Sequence, residues 1–328
     1  MKRKLFIAAV AAMALAACEE KINEQTVSAD EMVELKISIP SAATKVSEKN
    51  EPGSPNAVNT LQVFLFDESG NLEASDMQQA KSVVLACVPG TKKVVALVNA
   101  PELTDVTSYS QLTSTTSKLT DNTIDSMVME GEVDLEIDAT MSVTIPVSRL
   151  AAKVVIKQIA NNFELLTHQN MDFCVTAIYL VNVAGEKSYL SSAVPTLWYN
   201  KMKIDREDET IPHFTYDYFQ TPNKIPYQGT FTTDKYFYCY PNPTEEDCYD
   251  TVWSERYTRM VVEATLAGEV VYYPISLPEV KQNTLYEVSL KITRPGSESP
   301  DVPVSGHAVE FKIDVQDWIT GDVIEEVI

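Results

Sequence analysis

Side chains able to do covalent or acid–base chemistry are few and scattered in this 328-residue chain. The three histidines, His168, His213 and His307, stand 45 and 94 residues apart. No HExxH, paired CxxC, phosphate loop or dinucleotide fingerprint accompanies them. A Ser, His and Asp triad can be built from distant positions, yet no G-x-S-x-G elbow supports one. With 47 acidic residues against 26 Lys and Arg, neighbouring carboxylates read as solvated surface. The expectation is a protein without catalysis, metal or cofactor, and an extracellular hydrolase ranks last among the readings.

The five cysteines carry what chemistry remains. Cys18 ends Leu15-Ala16-Ala17-Cys18, which follows a basic head, Lys2-Arg3-Lys4, and an apolar run from Leu5 to Ala17. Those are the parts of a secretory signal, and the run is too short to span a bilayer. The junction resembles a bacterial lipobox: cleavage between Ala17 and Cys18 would leave a terminal thiol able to carry acyl chains. Each buried CH₂ stabilises membrane attachment by about 0.8 kcal/mol. The other cysteines, Cys87, Cys174, Cys239 and Cys248, are even in number for an oxidising compartment. Cys239 and Cys248 are close enough to clip one loop; the competing reading is four free thiols packed as small apolar groups. Removing residues 1–17 leaves 23 basic residues against 47 acidic ones. Such a surface repels nucleic acid and anionic lipid, so no nucleic-acid partner is expected.

The elements that would present these groups read mostly as strands. Val33, Leu35, Ile37 and Ile39 alternate with Glu34, Lys36 and Ser38, and a proline and a polar tether running to Asn59 follow. Leu61–Phe66 reads as a buried strand turning at Asp67–Asn71. Residues 83–88 and 94–98 flank Pro89-Gly90 and read as a second hairpin. Residues 103–119 read as a short helix. Strands follow at 133–137, 143–147, 152–156, 177–183, 260–266, 270–273 and 285–292. Residues 187–249 read as a long, aromatic, loop-like stretch, including Trp198, Tyr199, Phe214, Tyr216, Tyr218, Tyr238 and Tyr240. Stacked sugar binding is one reading of those rings, and packing over a sandwich end is the favoured one. Val309, Phe311, Ile313 and Val315 alternate as cleanly as the first strand. Many short strands with Pro and Gly turns argue for all-β sandwiches.

A set of patches in order resembles the fimbrillin family of Bacteroidetes, the major subunits of protease-assembled pili. The set comprises the Cys18 junction, Val63-Phe-Leu-Phe-Asp67 with Gly70-Asn71, Val94-Val-Ala-Leu-Val-Asn-Ala-Pro101, Met127-Val-Met-Glu-Gly131, Arg149-Leu-Ala-Ala-Lys153, Asn283-Thr-Leu-Tyr286 with Ile292-Thr293, and Val315-Gln-Asp-Trp318. The resemblance implies two tandem transthyretin-like β-sandwich domains with minor helix: a signal at 1–17, a propeptide with a removable first strand at 18–45, and domains at 46–147 and 148–328. It implies a lipid-anchored precursor at the outer membrane and a trypsin-like maturation protease. Cutting would fall between Lys45 and Val46, Lys standing where the family usually has Arg.

Loss of Val33, Leu35, Ile37 and Ile39 would open an apolar groove flanked by unpaired backbone groups. The donor expected to refill it in another copy, or in a related fimbrial subunit, is the C-terminal segment. Val323, Ile324, Val327 and Ile328 lie closest to the groove in this reading, with Val309–Val315 pairing beside it. The expected product is an extracellular pilus shaft supporting adhesion and biofilm formation through a host or bacterial surface ligand. The alternatives are a tip or anchor subunit and a surface glycan-binding lipoprotein.

Overall fold

A computed structural model describes residues 32–40, 54–245, 251–277, 279–302, 304 and 309–318. Among them the regular structure is nearly all strand, arranged as β-sandwich layers. In chain order the principal strands are β1 (Val33–Ser38), β2 (Leu61–Phe66), β3 (Leu72–Gln78), β4 (Ser82–Cys87), β5 (Gly90–Val98), β6 (Met129–Ile137), β7 (Met141–Thr144) and β8 (Ser148–Arg149). They continue as β9 (Ala152–Asn161), β10 (Phe173–Val181), β11 (Tyr216–Lys224), β12 (Thr230–Cys239), β13 (Thr258–Leu266), β14 (Glu269–Leu277), β15 (Thr284–Ile292) and β16 (Val309–Asp317).

The main sheets run in the orders β4-β1-β7, β3-β2-β5-β6-β8, β12-β9-β15-β16 and β11-β10-β13-β14. The first two close on an apolar core of Leu35, Ile37, Leu61, Val63, Leu65, Val94, Ala96 and Ile145. All six residues of β2 are buried, because its sheet is covered on both faces. Leu61, Val63 and Leu65 enter that core, whereas Phe64 and Phe66 join Val95 and Leu97 in a larger cluster that also holds Val154, Ile178, Val262 and Val288. The second sheet is therefore a shared wall, with apolar layers on either side.

Local chemistry sets the reversals. The β2–β3 turn closes with Gly70 N–H on the Asp67 carbonyl at 2.9 Å and Asn71 N–H on Asp67 Oδ1 at 2.8 Å. Gly70 there takes φ of 80°, a region costly for a side chain. Between β13 and β14, Ala267 and Gly268 both have positive φ, as a two-residue hairpin loop requires.

Three sequence expectations are corrected. The two runs either side of Pro89 are strands but not a hairpin: β4 pairs with β1, and β5 with β2 and β6. Pro89-Gly90 carries the chain from one layer to the other. The helix expected over 103–119 is limited to α1 (Tyr109–Ser114), capped by Ser108, whose Oγ accepts from Gln111 N–H. The Ser/Thr-rich flanks lie outside it, because hydroxyl and β-branched side chains compete poorly for helix. Residues 187–249 are not one loop, since β11 and β12 lie within them. Aromatic residues suit a pleated surface, and the two strands occupy sheet edges, where Pro222 is tolerated.

Candidate functional site

The site with most to offer is the slot holding β1. This strand is central in its sheet, antiparallel to β4 through Leu35↔Leu85 and Ile37↔Val83, and parallel to β7 through Leu35↔Met141 and Ile37↔Val143. Its inward side chains, Leu35 and Ile37, are fully enclosed and Ile39 nearly so, while Glu34 is exposed outward and Val33 is half-buried at the mouth. Ile39 N–H donates to the Lys81 carbonyl at 3.0 Å, and Ile145 N–H to the Ser38 carbonyl at 2.9 Å. Ser38 Oγ donates to the Val143 carbonyl at 3.2 Å and lies 3.1 Å from Thr144 Oγ1. Three enclosed side chains at about 1.5–3 kcal/mol each make this a strongly held strand. Without it, β4 and β7 would each lose a ladder, and the core would open along its length.

A second cluster gathers residues 55, 283 and 318 around one side chain. Arg149 is fully buried, and its guanidinium is met by carbonyls, an amide and a ring. Nε donates to the Pro55 carbonyl at 3.3 Å; Nη1 donates to the Trp318 carbonyl at 3.1 Å and to Asn283 Oδ1 at 3.0 Å. The guanidinium lies over the Trp318 ring, 4.0 Å from the centroid. Tyr238 stacks on Trp318 at 5.6 Å, and Lys153 Nζ lies 4.4 Å from the Tyr236 ring. Residues 55 and 318 thus converge on one side chain, close in sequence to the segments carrying Lys45 and Val323–Ile328. No sequence signal gave Arg149 this role, although Arg149-Leu-Ala-Ala-Lys153 and Asp317-Trp318 were both singled out.

Of the other expected site residues, Ala17, Cys18, Lys45, Val46, Cys248, Val323, Ile324, Val327 and Ile328 lie outside the described residues. Val309–Val315 pairs with β15, not beside β1 within the chain. Cys87, Cys174 and Cys239 are free thiols, and burial pushes Cys239 up to about 12. His213 Nδ1 lies 2.6 Å from Tyr216 Oη, and His168 packs edge-on against Phe163. Among the described residues no group of His, Cys, Asp and Glu is arranged to hold a metal. The aromatic stretch is largely spent on packing. Trp198, Tyr199, Tyr238 and Tyr240 are buried, and Tyr240 Oη is fixed by Asn122 Nδ2 at 2.8 Å and Ser117 Oγ at 2.7 Å.

Residues 32–144, which contain β1 and both of its neighbours, match the family of the major fimbrial subunit protein (FimA). The fold is similar to that of a fimbrilin (fimA) from Porphyromonas gingivalis, with a TM-score of 0.61 at 13% identity, covering 88% of this chain and 98% of that one. A proposed cell adhesion protein from Bacteroides eggerthii gives 0.62 at 17%, covering 88% and 96%. The C-terminally truncated tip fimbrial protein Mfa3 from P. gingivalis gives 0.54 at 13%, covering 88% and 100%. At these identities the likeness is one of fold. No curated protein matches in sequence.

Proposed function

We propose that the chain is a structural subunit of an extracellular fimbrium that assembles by exchanging strands. It is exported as a lipoprotein acylated on Cys18, and a trypsin-like protease cuts between Lys45 and Val46. Loss of β1 then leaves a groove that another subunit fills with its C-terminal segment, Val323, Ile324, Val327 and Ile328 supplying the apolar side chains. The protein is given no catalytic role.

The observation that carries this reading is the position of β1. It precedes the rest of the described fold, joins it through residues 40–53, and yet sits between two other strands with Leu35 and Ile37 fully enclosed. A strand so placed is held by non-covalent contacts once its tether is cut, and its slot is shaped for an alternating apolar segment. The family match over the same residues supports a fimbrial setting. Arg149 would steady Pro55 and Trp318, the roots of the cut end and of the donor.

N-terminal sequencing of protein extracted from the cell surface tests maturation, and a start at Val46 is expected. Deleting Asp322–Ile328 should abolish polymers while leaving a folded monomer. Polymers formed by that deletion, or by Lys45→Ala without cleavage, would contradict the scheme.

A further inference from the structure

Among the described residues, strand β16 leaves a regular edge open. It pairs only with β15 among the described residues, over nine consecutive positions from Ile292↔Val309 to Thr284↔Asp317. Its apolar residues lie on the core-facing side, where Val309 is buried beside Ile292, but Phe311, Ile313 and Val315, opposite Leu290, Val288 and Tyr286, are less covered. Phe311 is 55% exposed and Val315 59%, with Ile313 half-buried between them. On the other side stand Glu310, Lys312, Asp314 and Gln316. An unshielded edge of this kind is a template for another strand.

The sequence of β16 is complementary to itself. Set antiparallel to a second copy about Ile313, it places Lys312 opposite Asp314 twice, Phe311 opposite Val315 twice, and Ile313 against its own counterpart. Opposed residues in an antiparallel pair share a face, so Phe311, Ile313 and Val315 of the two copies would merge on one side and Lys312 would match Asp314 on the other, while at the ends Glu310 meets Gln316 and Val309 meets Asp317. Centring the pair on Lys312 instead opposes two lysines and sets Glu310 against Asp314. Centring it on Phe311 also matches charge, Glu310 with Lys312, but uses only residues 309–313.

The geometry points to a second copy of this chain as the partner of the β16 edge, joined through a two-fold axis at Ile313 into one continuous sheet. Such an isologous contact closes on itself. It needs neither the loss of β1 nor a donor segment, so it gives a lateral contact between subunits. The exposed Lys312–Asp314 pairs contribute little energy and serve to set the register. The backbone ladder and the apolar row supply the association.

Cysteine cross-linking of the full, uncut chain tests this, because strand exchange is switched off in it. Ile313→Cys should form a disulfide-linked dimer well ahead of Lys312→Cys and of the unsubstituted chain, since only position 313 meets itself at bridging distance. Phe311→Cys and Val315→Cys should cross-link when mixed and not separately. In sedimentation, Lys312→Asp or Asp314→Lys alone should weaken self-association about tenfold, and the double swap Lys312→Asp with Asp314→Lys should restore it. The proposal is overturned if the chain stays monomeric at high concentration, or if the Ile313→Cys variant cross-links no faster than the Lys312→Cys variant. It is equally overturned if the thiol of Ile313→Cys is captured instead by a cysteine placed within residues 319–328 of its own chain.

Discussion

Val33–Ile39 reads Val-Glu-Leu-Lys-Ile-Ser-Ile and Val309–Val315 reads Val-Glu-Phe-Lys-Ile-Asp-Val. The alternation is the same and four of seven residues are identical, yet the two strands meet opposite fates. β1 is enclosed between β4 and β7, with Leu35 and Ile37 inaccessible; β16 is an edge, with Phe311 and Val315 open to solvent. The pattern fixes which face is apolar, and the neighbours decide whether that face is buried. Two details fit each sequence to its place. Ser38 can donate to the Val143 carbonyl, whereas Asp314 in that position would set an acceptor-only carboxylate against an acceptor. Leu35 sits where no exposed space remains for the larger ring of Phe311.

The largest effect is expected behind β16. Its connection to β15 is pinned by Asp301, buried and bonded to the buried guanidinium groups of Arg256, at 2.6 Å, and Arg259, and to Asn182 Nδ2 at 2.7 Å. Asp301→Ala takes the carboxylate away from two buried guanidinium groups, and equilibrium denaturation should show a loss of about 3–5 kcal/mol. If the loss is below about 1 kcal/mol, the edge strand is not held in this way.

Next comes the comparison itself. Ile37→Ala in the uncut chain should cost about 2–5 kcal/mol, as an enclosed aliphatic truncation does, while Ile313→Ala at low protein concentration should cost under about 1 kcal/mol. Equal losses would mean that the two strands are buried alike. A synthetic peptide of the Val33–Ile39 sequence should block polymerisation of the cut chain, and one of the Val309–Val315 sequence should be at least about tenfold weaker, one mismatched buried polar contact being worth about 1–3 kcal/mol. Equal inhibition would show that alternation alone selects the occupant.

The smallest effect is at the β2–β3 turn. The Asn71 backbone N–H holds the Asp67 carboxyl below its ordinary value. Because its folded pKa is depressed, its contribution is present above the unfolded value of about 3.9. It fades as pH falls through the folded pKa. Asp67→Asn should remove that acid-side dependence with little change at neutral pH, read from denaturation curves at a series of pH values.

Much of this was legible beforehand, and the failures have physical causes. Period-two alternation located β1 and β16, because side chains alternate between the two faces of a strand, while β2, β13 and β15 stood out as short runs rich in apolar and β-branched residues. Partners are not written in the sequence. The runs around Pro89 are strands of different layers, and a turn signal alone cannot tell a hairpin from a crossing. β11 has partly exposed residues on both faces, so its pattern of Tyr216, Tyr218 and Phe219 lacks the contrast that alternation needs. Some of the patches that carry the fimbrillin resemblance lie in the region that the family match covers. The burial of Arg149 was invisible, because its partners lie at residues 55, 283 and 318, and only the fold brings them together.

The central claim is that the slot of β1 empties on cutting and is refilled by a neighbour. Amide hydrogen exchange at Val83, Leu85 and Val143, followed in the uncut chain, the cut monomer and the polymer, tests it most directly. The account predicts slow exchange in the uncut chain, fast exchange in the cut monomer and slow exchange again in the polymer. Equal protection in all three forms would contradict it.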